Sequence, residues 1–325
     1  MRIAVLGCGS IGRRHLRNLN LLREPHELLA YDPSEAALEI ACQESGAKGF
    51  SSLDAIWEAR PEIGFITSPS ELHVEHALAA VRQGCHVFIE KPLSHSVAGI
   101  HELENALAET GRHAMVGCNM RFHPGPATVK RLLSEHAIGT PLAARIQCGS
   151  YLPQWRPSQD YRKSYSASVA QGGAILDCIH EIDLALWYLG PAHLVGAAHM
   201  PASSIGLATD GLAELILKHE SGSLSNVHLN FIQRDYRRTC QIIGTEGTLY
   251  WDFAAHRVDH FGPAGDIVAS YPEPDGWQPN QMYVDEIAHF LERIALDRPP
   301  VSSLAEGWAA LSLALSARDL GRTDS

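Results

Sequence analysis

A chain of 325 residues is about twice the usual domain length and is expected to form two packed units, each able to bury its own core. Its 45% hydrophobic and 19% charged residues exclude a disordered or fibrous architecture, and its formal charge of -11 argues against the basic face a nucleic-acid partner would require. A local basic pocket could still form, with Arg156, Arg162, Lys163, Arg234, Arg237 and Arg238 as candidates. The seven cysteines are scattered and include no C-x-x-C pair, so neither a disulfide framework nor a zinc ribbon is expected, and a reducing cytoplasm suits them best. The chain opens on an apolar strand, so no signal peptide is expected, and no apolar run reaches the roughly 18 residues of a membrane span.

The first strand, 2–6, runs into G-C-G-S-I-G, from Gly7 through Gly9, Ser10 and Ile11 to Gly12, and a helix is expected over 11–22. Strand, glycines and helix are the order a dinucleotide needs. The first glycine permits the tight turn, the second lets the backbone approach the pyrophosphate and the third allows close helix–strand packing, while the helix N-terminus offers N–H groups and a positive dipole end. A second strand, 27–31, ends at Asp32, about 20 residues beyond Gly12, where a carboxylate would meet the adenosine ribose hydroxyls. It would repel a 2′-phosphate, and the residues that follow, Pro33, Ser34 and Glu35, include no arginine, so NAD is expected rather than NADP.

Strands at 63–67, 87–89 and 113–116 alternate with helices at 71–82 and 96–109. That alternation predicts a doubly wound parallel sheet in a cofactor domain over 1–120. Ligands bind beyond the carboxyl ends of such strands, which is where Ser68, Pro69, Ser70, Glu90, Lys91 and Asn119 fall, so these residues should converge.

From about Arg121 the alternation stops, and 121–325 is expected to be a separate substrate domain. It contains a helix at 125–134, strands at 142–148, 193–199, 212–219, 224–231, 240–243 and 248–253, and two final helices at 282–296 and 304–320. Val227, Leu229 and Phe231 alternate with His228 and Asn230, the pattern of a sheet covered on one side only, and Gly222 and the 244–247 segment read as hairpin turns. A second copy of the chain is the expected cover for the other side.

A helix over 177–189 would put Ile179, Ile182, Leu186 and Leu189 on an apolar stripe and Asp177, His180 and Glu181 opposite it. Asp177 and His180 would then be neighbours, with Asp183 also bordering His180, so either aspartate could orient the imidazole. The pairing suits oxidation of a secondary alcohol, because a histidine near its reference pKa of about 6.5 can take the hydroxyl proton as hydride leaves. His180 is the candidate general base, with Asp177 first and Asp183 second as its partner. Lys91 is the candidate donor to the reacting oxygen. Tyr161, Arg162, Lys163 and Tyr165, just before Gly172 and Gly173, and Arg121 are candidate substrate contacts. No metal is expected: His73 and His76 are three apart and His256 and His260 four apart, but 256–260 reads as a strand, and neither pair has further ligands arranged as in H-E-x-x-H.

Several stretches together resemble one family. G-C-G-S-I-G-R-R-H-L near the start, E-K-P-L at 90–93, N-M-R-F-H-P at 119–124 and G-G-A-I-L-D-C-I-H-E-I-D-L-A-L-W-Y-L-G at 172–190 are similar to the glucose–fructose oxidoreductase/inositol dehydrogenase/rhizopine catabolism (Gfo/Idh/MocA) family. The resemblance implies a Rossmann domain followed by an α/β domain with an open, mostly antiparallel sheet that often serves as an oligomer interface. It also implies hydride transfer between nicotinamide and a ring hydroxyl of a sugar, sugar derivative or cyclitol, with Lys91 as the E-K-P lysine and His180 as the active-site histidine. One departure stands out: many members place an aspartate four residues before that histidine, where this chain has Leu176 and carries Asp177 instead. R-K-S-Y at 162–165 with the D-x-x-H-E-x-D of 177–183 is similar to a subgroup of surface-sugar and nine-carbon acidic-sugar metabolism. The same parts would also serve a redox-neutral elimination, hydration or glycoside cleavage, or a regulator that senses NAD without turning over.

Overall fold

The computed structural model describes residues 1–155, 157 and 159–321, so Arg156 lies outside the described residues. The chain divides into two compact units, Met1–Asn119 with Gln278–Trp308, and Met120–Trp277 with Ala309–Ser325.

The first unit is a six-stranded parallel sheet in the order β3-β2-β1-β4-β5-β6. Its elements are β1 (Arg2–Leu6), α1 (Ser10–Leu19), β2 (Glu27–Tyr31), α2 (Glu35–Ser45), β3 (Lys48–Phe50), α3 (Leu53–Glu58), β4 (Ile63–Ile66), α4 (His73–Arg82), β5 (His86–Glu90), α5 (Ile100–Thr110) and β6 (Ala114–Gly117). Strands covered on both faces are apolar throughout rather than alternating. Accordingly every residue of β4 and β5 is buried. The chain reverses direction across the sheet between β1 and β4, so the crevice beyond their carboxyl ends is the topological switch point.

The second unit contains α6 (Pro124–Ser134), β7 (Pro141–Tyr151), α7 (Ala174–Asp177), α8 (Ile179–Leu189), β8 (Ala192–Pro201), β9 (Asp210–His219), β10 (Leu224–Asn230), β11 (Ile232–Gly244), β12 (Thr248–Asp252), β13 (Arg257–Phe261) and β14 (Ile267–Pro272). They form an eight-stranded sheet in the order β14-β13-β12-β11-β7-β10-β9-β8, antiparallel except for the β7–β10 pair. Ala213, Leu215 and Leu217 of β9 are fully buried while Glu214, Ile216 and Lys218 between them are not, so one face carries the core. The fold class read from the sequence is the one observed.

After β14 come α9 (Gln281–Ala295) and α10 (Leu304–Leu320). The sequence reading assigned both to the second domain, whereas 278–308 clusters with the first unit. Apolar packing is the reason. Phe290 of α9 lies edge-on to Phe65 and Phe88, at ring distances of 6.0 and 5.8 Å, and is fully buried with Ile287. Two strands left no sequence signal: β3 is only three residues long, and β14 is an edge strand whose residues are mostly exposed, so it has no buried alternation to read. Among the described residues no helix is long and apolar enough to cross a membrane.

Candidate active-site residues

In the first unit the expected cofactor residues gather at one edge of the parallel sheet. Gly7, Gly9, Ser10, Ile11 and Gly12 follow β1, Asp32 follows β2, Ser68 and Pro69 follow β4, Glu90 closes β5 with Lys91 next, and Asn119 follows β6. The glycines are required by space as well as by conformation. Gly7 has φ 103°, and a Cβ there would lie 2.5 Å from the Ser68 nitrogen; on Gly12 it would lie 1.9 Å from the Gly7 carbonyl oxygen. A Cβ on Gly9 would meet no atom of the described residues within 4 Å, so the space above it is available to a ligand. Gly9 is the N-cap of α1, and among the described residues no side-chain cap bonds this helix start. Asp32 is pinned beside this loop, its Oδ2 accepting from the Cys8 N–H at 2.7 Å and its Oδ1 from the Ser34 N–H at 2.8 Å. Open space over a glycine turn, an uncapped helix start and an adjacent carboxylate fit a dinucleotide.

Gly12→Ala tests that fit, because its methyl would meet backbone rather than a movable side chain. NAD affinity, measured by calorimetry, is expected to fall at least about tenfold, the equivalent of about 1.4 kcal/mol.

Around Lys91 the supports are buried. Glu90 lies beneath it in contact with His15, and the Lys91–Pro92 peptide is cis. Burial alone would raise the Glu90 carboxyl, but the His15 hydrogen bond and the charges of His15, Lys91 and His73 hold it below the ordinary range. His73 of α4 turns one ring nitrogen to the Pro92 carbonyl at 2.9 Å and the other to the Ser68 carbonyl at 2.8 Å, and His76 Nδ1 meets Ser68 Oγ at 3.0 Å. The two histidines that sequence spacing offered as a metal pair therefore brace the loops after β4 and β5. Burial lowers both imidazoles from their ordinary value.

In the second unit the catalytic segment departs from the expected single helix. Asp177 ends α7, Cys178 leaves helical geometry at φ −94° and ψ 31°, and His180 lies in the first turn of the separate α8. Asp177 and His180 are thus not one-face neighbours of a continuous helix. The short α7 is set from outside, as Asp210 Oδ2 accepts the Ile175 N–H at 2.9 Å. The Cys178 thiol, hydrogen-bonded to Cys148 and buried, is held well above the usual thiol range.

The polar side of α8 is not a solvated face. His180 and Glu181 are buried, as is Asp183. Charge compensation makes this tolerable. Arg121 grips Asp183 through two hydrogen bonds, Nε to Oδ2 at 2.9 Å and Nη2 to Oδ1 at 2.6 Å, and Arg238 holds Glu181 through Nε to Oε1 at 2.6 Å and Nη2 to Oε2 at 3.2 Å. Asp183, second choice as the partner of His180, therefore has both oxygens engaged by Arg121, and Arg121, expected to meet substrate, is buried within that pair. Periodicity located the helix but not these partners, which lie 62 and 57 residues away in the chain.

The other candidates are dispersed. Tyr161 donates its hydroxyl to the Ile205 carbonyl at 2.9 Å, Arg162 is exposed and paired with Asp160 at 2.8 Å, and Lys163 is exposed. Arg237 pairs with Asp235, Arg234 stacks on the Tyr151 ring at 3.9 Å, and Arg238 is the buried partner of Glu181, so these arginines have separate partners rather than one shared basic pocket. Cys148, Cys178 and Glu181 offer ligand atoms within 4.8 Å of one another, but both Glu181 oxygens are already held by a guanidinium.

Comparison with known proteins agrees with this geometry. Residues 1–118 match the family model described as "Oxidoreductase family, NAD-binding Rossmann fold", and residues 127–250 match the "GFO/IDH/MocA C-terminal domain". Among curated relatives, an inositol 2-dehydrogenase 2 of Saccharopolyspora erythraea is 30% identical over 244 residues, covering 73% of this chain and 68% of its own length. A scyllo-inositol 2-dehydrogenase (NAD(+)) of Bacillus subtilis is 24% identical over 98% of this chain and 93% of its own. A levoglucosan dehydrogenase solved with NADH and levoglucosan superposes with a TM-score of 0.87 at 20% identity, covering 99% of this chain and 96% of that one, which shows a shared fold. With both of its domain models matched in chain order, and with a relative at 30% identity, the chain belongs to the GFO/IDH/MocA family of oxidoreductases and carries that family's NAD-binding Rossmann domain.

Proposed function

We propose that this protein is an NAD-dependent dehydrogenase that moves hydride between nicotinamide and a ring hydroxyl of a sugar, sugar acid or cyclitol. The observation that carries the reading is the make-up of α8: arginines hold the carboxylates at 181 and 183, and His180 is the imidazole of its first turn. A histidine can take the hydroxyl proton of a secondary alcohol as hydride leaves. Lys91 donates a hydrogen bond to the reacting oxygen and stabilises negative charge developing there. The bound cofactor supplies the hydride acceptor. Several relatives are named for inositols, which supports a polyhydroxylated ring as the substrate class.

The test is absorbance at the reduced-nicotinamide band while the purified protein with NAD is offered cyclitols, aldoses, sugar acids and nine-carbon acidic sugars. A rise with one class is the expected result. Substrate consumed without net NADH would replace the reading with redox-neutral chemistry, and no turnover on any class would favour a nucleotide sensor. Asp32 also sets an expected preference: NAD should bind at least about tenfold more tightly than NADP, and Asp32→Ala should narrow the gap, since removing the carboxylate removes its repulsion of the 2′-phosphate.

The outer face of the eight-stranded sheet, with Ile216 and Leu224 each about half exposed, is the surface we assign to a second copy of the chain, and light scattering showing only monomer at working concentration would refute this. That none of the seven cysteines is in a disulfide supports a reducing compartment such as the cytoplasm.

A further inference from the structure

We infer that His15 and Glu90 form a positioning pair that fixes the segment bearing Lys91 to the cofactor-binding helix; this rests on the role given to Lys91 above. His15 lies in α1, five residues after the Ser10 that opens the helix, and Glu90 is the last residue of β5. His15 Nε2–H donates to Glu90 Oε1 at 2.6 Å, and the other oxygen, Oε2, accepts the backbone N–H of Lys91 at 3.1 Å. One carboxylate thus holds the α1 imidazole and the main chain of the next residue.

The surroundings give the pair little freedom. The His15 side chain is fully buried and that of Glu90 is 9% exposed. The imidazole is enclosed by Phe65, Phe88 and Tyr283, at ring distances of 5.5, 5.1 and 6.4 Å. Its Nδ1 has no partner among the described residues, which places the ring proton on Nε2, the atom facing Glu90. On the far side of Lys91, His73 ties Pro92 to Ser68. A buried carboxylate without its donor would shift or be protonated, and the Lys91 backbone would lose its acceptor's fixed place. Misplacement of a reacting group by about 1 Å costs rate far more than it costs ligand binding.

The experiment compares His15→Leu, which removes the donor, His15→Gln, whose amide can still donate, and Glu90→Gln, with Lys91→Ala measured alongside. Each is assayed for kcat, substrate KM and NAD dissociation constant, on protein shown to be folded by calorimetry. The expected result is a kcat about tenfold or more below wild type for His15→Leu, an NAD dissociation constant within about twofold, and recovery to within about threefold for His15→Gln. The double variant His15→Leu/Glu90→Gln should be little worse than either single change, as expected of residues acting as one unit. If His15→Leu does not fold, Glu90→Gln gives the same kcat-against-affinity split. Lowered melting temperatures with unchanged kcat per folded molecule, while Lys91→Ala is inactive, would reduce the pair to a structural brace and overturn the inference. An active Lys91→Ala would instead remove the role of Lys91 on which the pair depends, a failure separable from the first.

Discussion

His180→Ala is expected to lower kcat by about a hundred- to ten-thousandfold, the range a positioned general base contributes, while leaving NAD affinity within about twofold. The separation of the two effects follows from placement. His180 lies on α8 of the second unit, whereas every glycine and the acidic residue assigned to the dinucleotide lie in the first. Loss of the base removes acceptance of the hydroxyl proton and no contact assigned to the cofactor. A second signature should accompany the loss. In the direction of alcohol oxidation the base must be unprotonated, so wild-type kcat/KM should fall on the acid side, and the alanine variant should lose that limb. Lys91→Ala should cost roughly a hundred- to thousandfold, the usual loss for one donor to a developing oxyanion. Steady-state kinetics over pH with calorimetric NAD titration check all three. Unchanged kcat in His180→Ala would refute the proposed chemistry, and an equal loss of NAD binding would point to a folding defect.

The sequence carried the first unit well because its signals are local. A strand, a glycine turn, a helix start and an acidic residue about 20 positions on each constrain the backbone within a few residues of themselves, and the structure places Gly7, Gly12 and Asp32 accordingly. Signals that depend on contacts between distant residues were not readable. Nothing in a period of 3.6 distinguishes a polar face turned to water from one neutralised by Arg121 and Arg238, so Glu181 read only as lying opposite the apolar stripe and Asp183 as a partner for His180, when both are buried in ion pairs. The break at Cys178 was hidden for a similar reason: its thiol bonds Cys148 on β7, thirty residues earlier, and no glycine or proline marks the spot. The same holds for α9, whose amphipathic pattern declared a helix but not which core Phe290 would join.

Arg121→Ala is expected to destabilise the protein by about 3–5 kcal/mol, because it leaves the Asp183 carboxylate charged, buried and without its cation. The exposure of the two side chains decides the size of the effect. At 3% and 1% they cannot recruit water in the way a surface pair would, and surface pairs are generally worth about 1 kcal/mol or less. Arg121→Lys should not rescue the loss. The native contact uses two nitrogens of one planar fork against two oxygens, and the guanidinium also lies 5.4 Å from the centre of the Trp187 ring; a single ammonium reproduces neither. Removing both charges should behave differently. Arg121→Met with Asp183→Leu replaces the pair with apolar groups of similar length, takes away the stranded charge and should recover most of the unfolding free energy. Urea denaturation of the three variants reads these differences, and activity at the same temperature reads something else. If Asp183 serves chiefly to seat Arg121, the double variant should regain activity along with stability; if it also orients His180, stability should return while kcat stays low. The geometry favours the first outcome, since both oxygens of Asp183 already face the arginine.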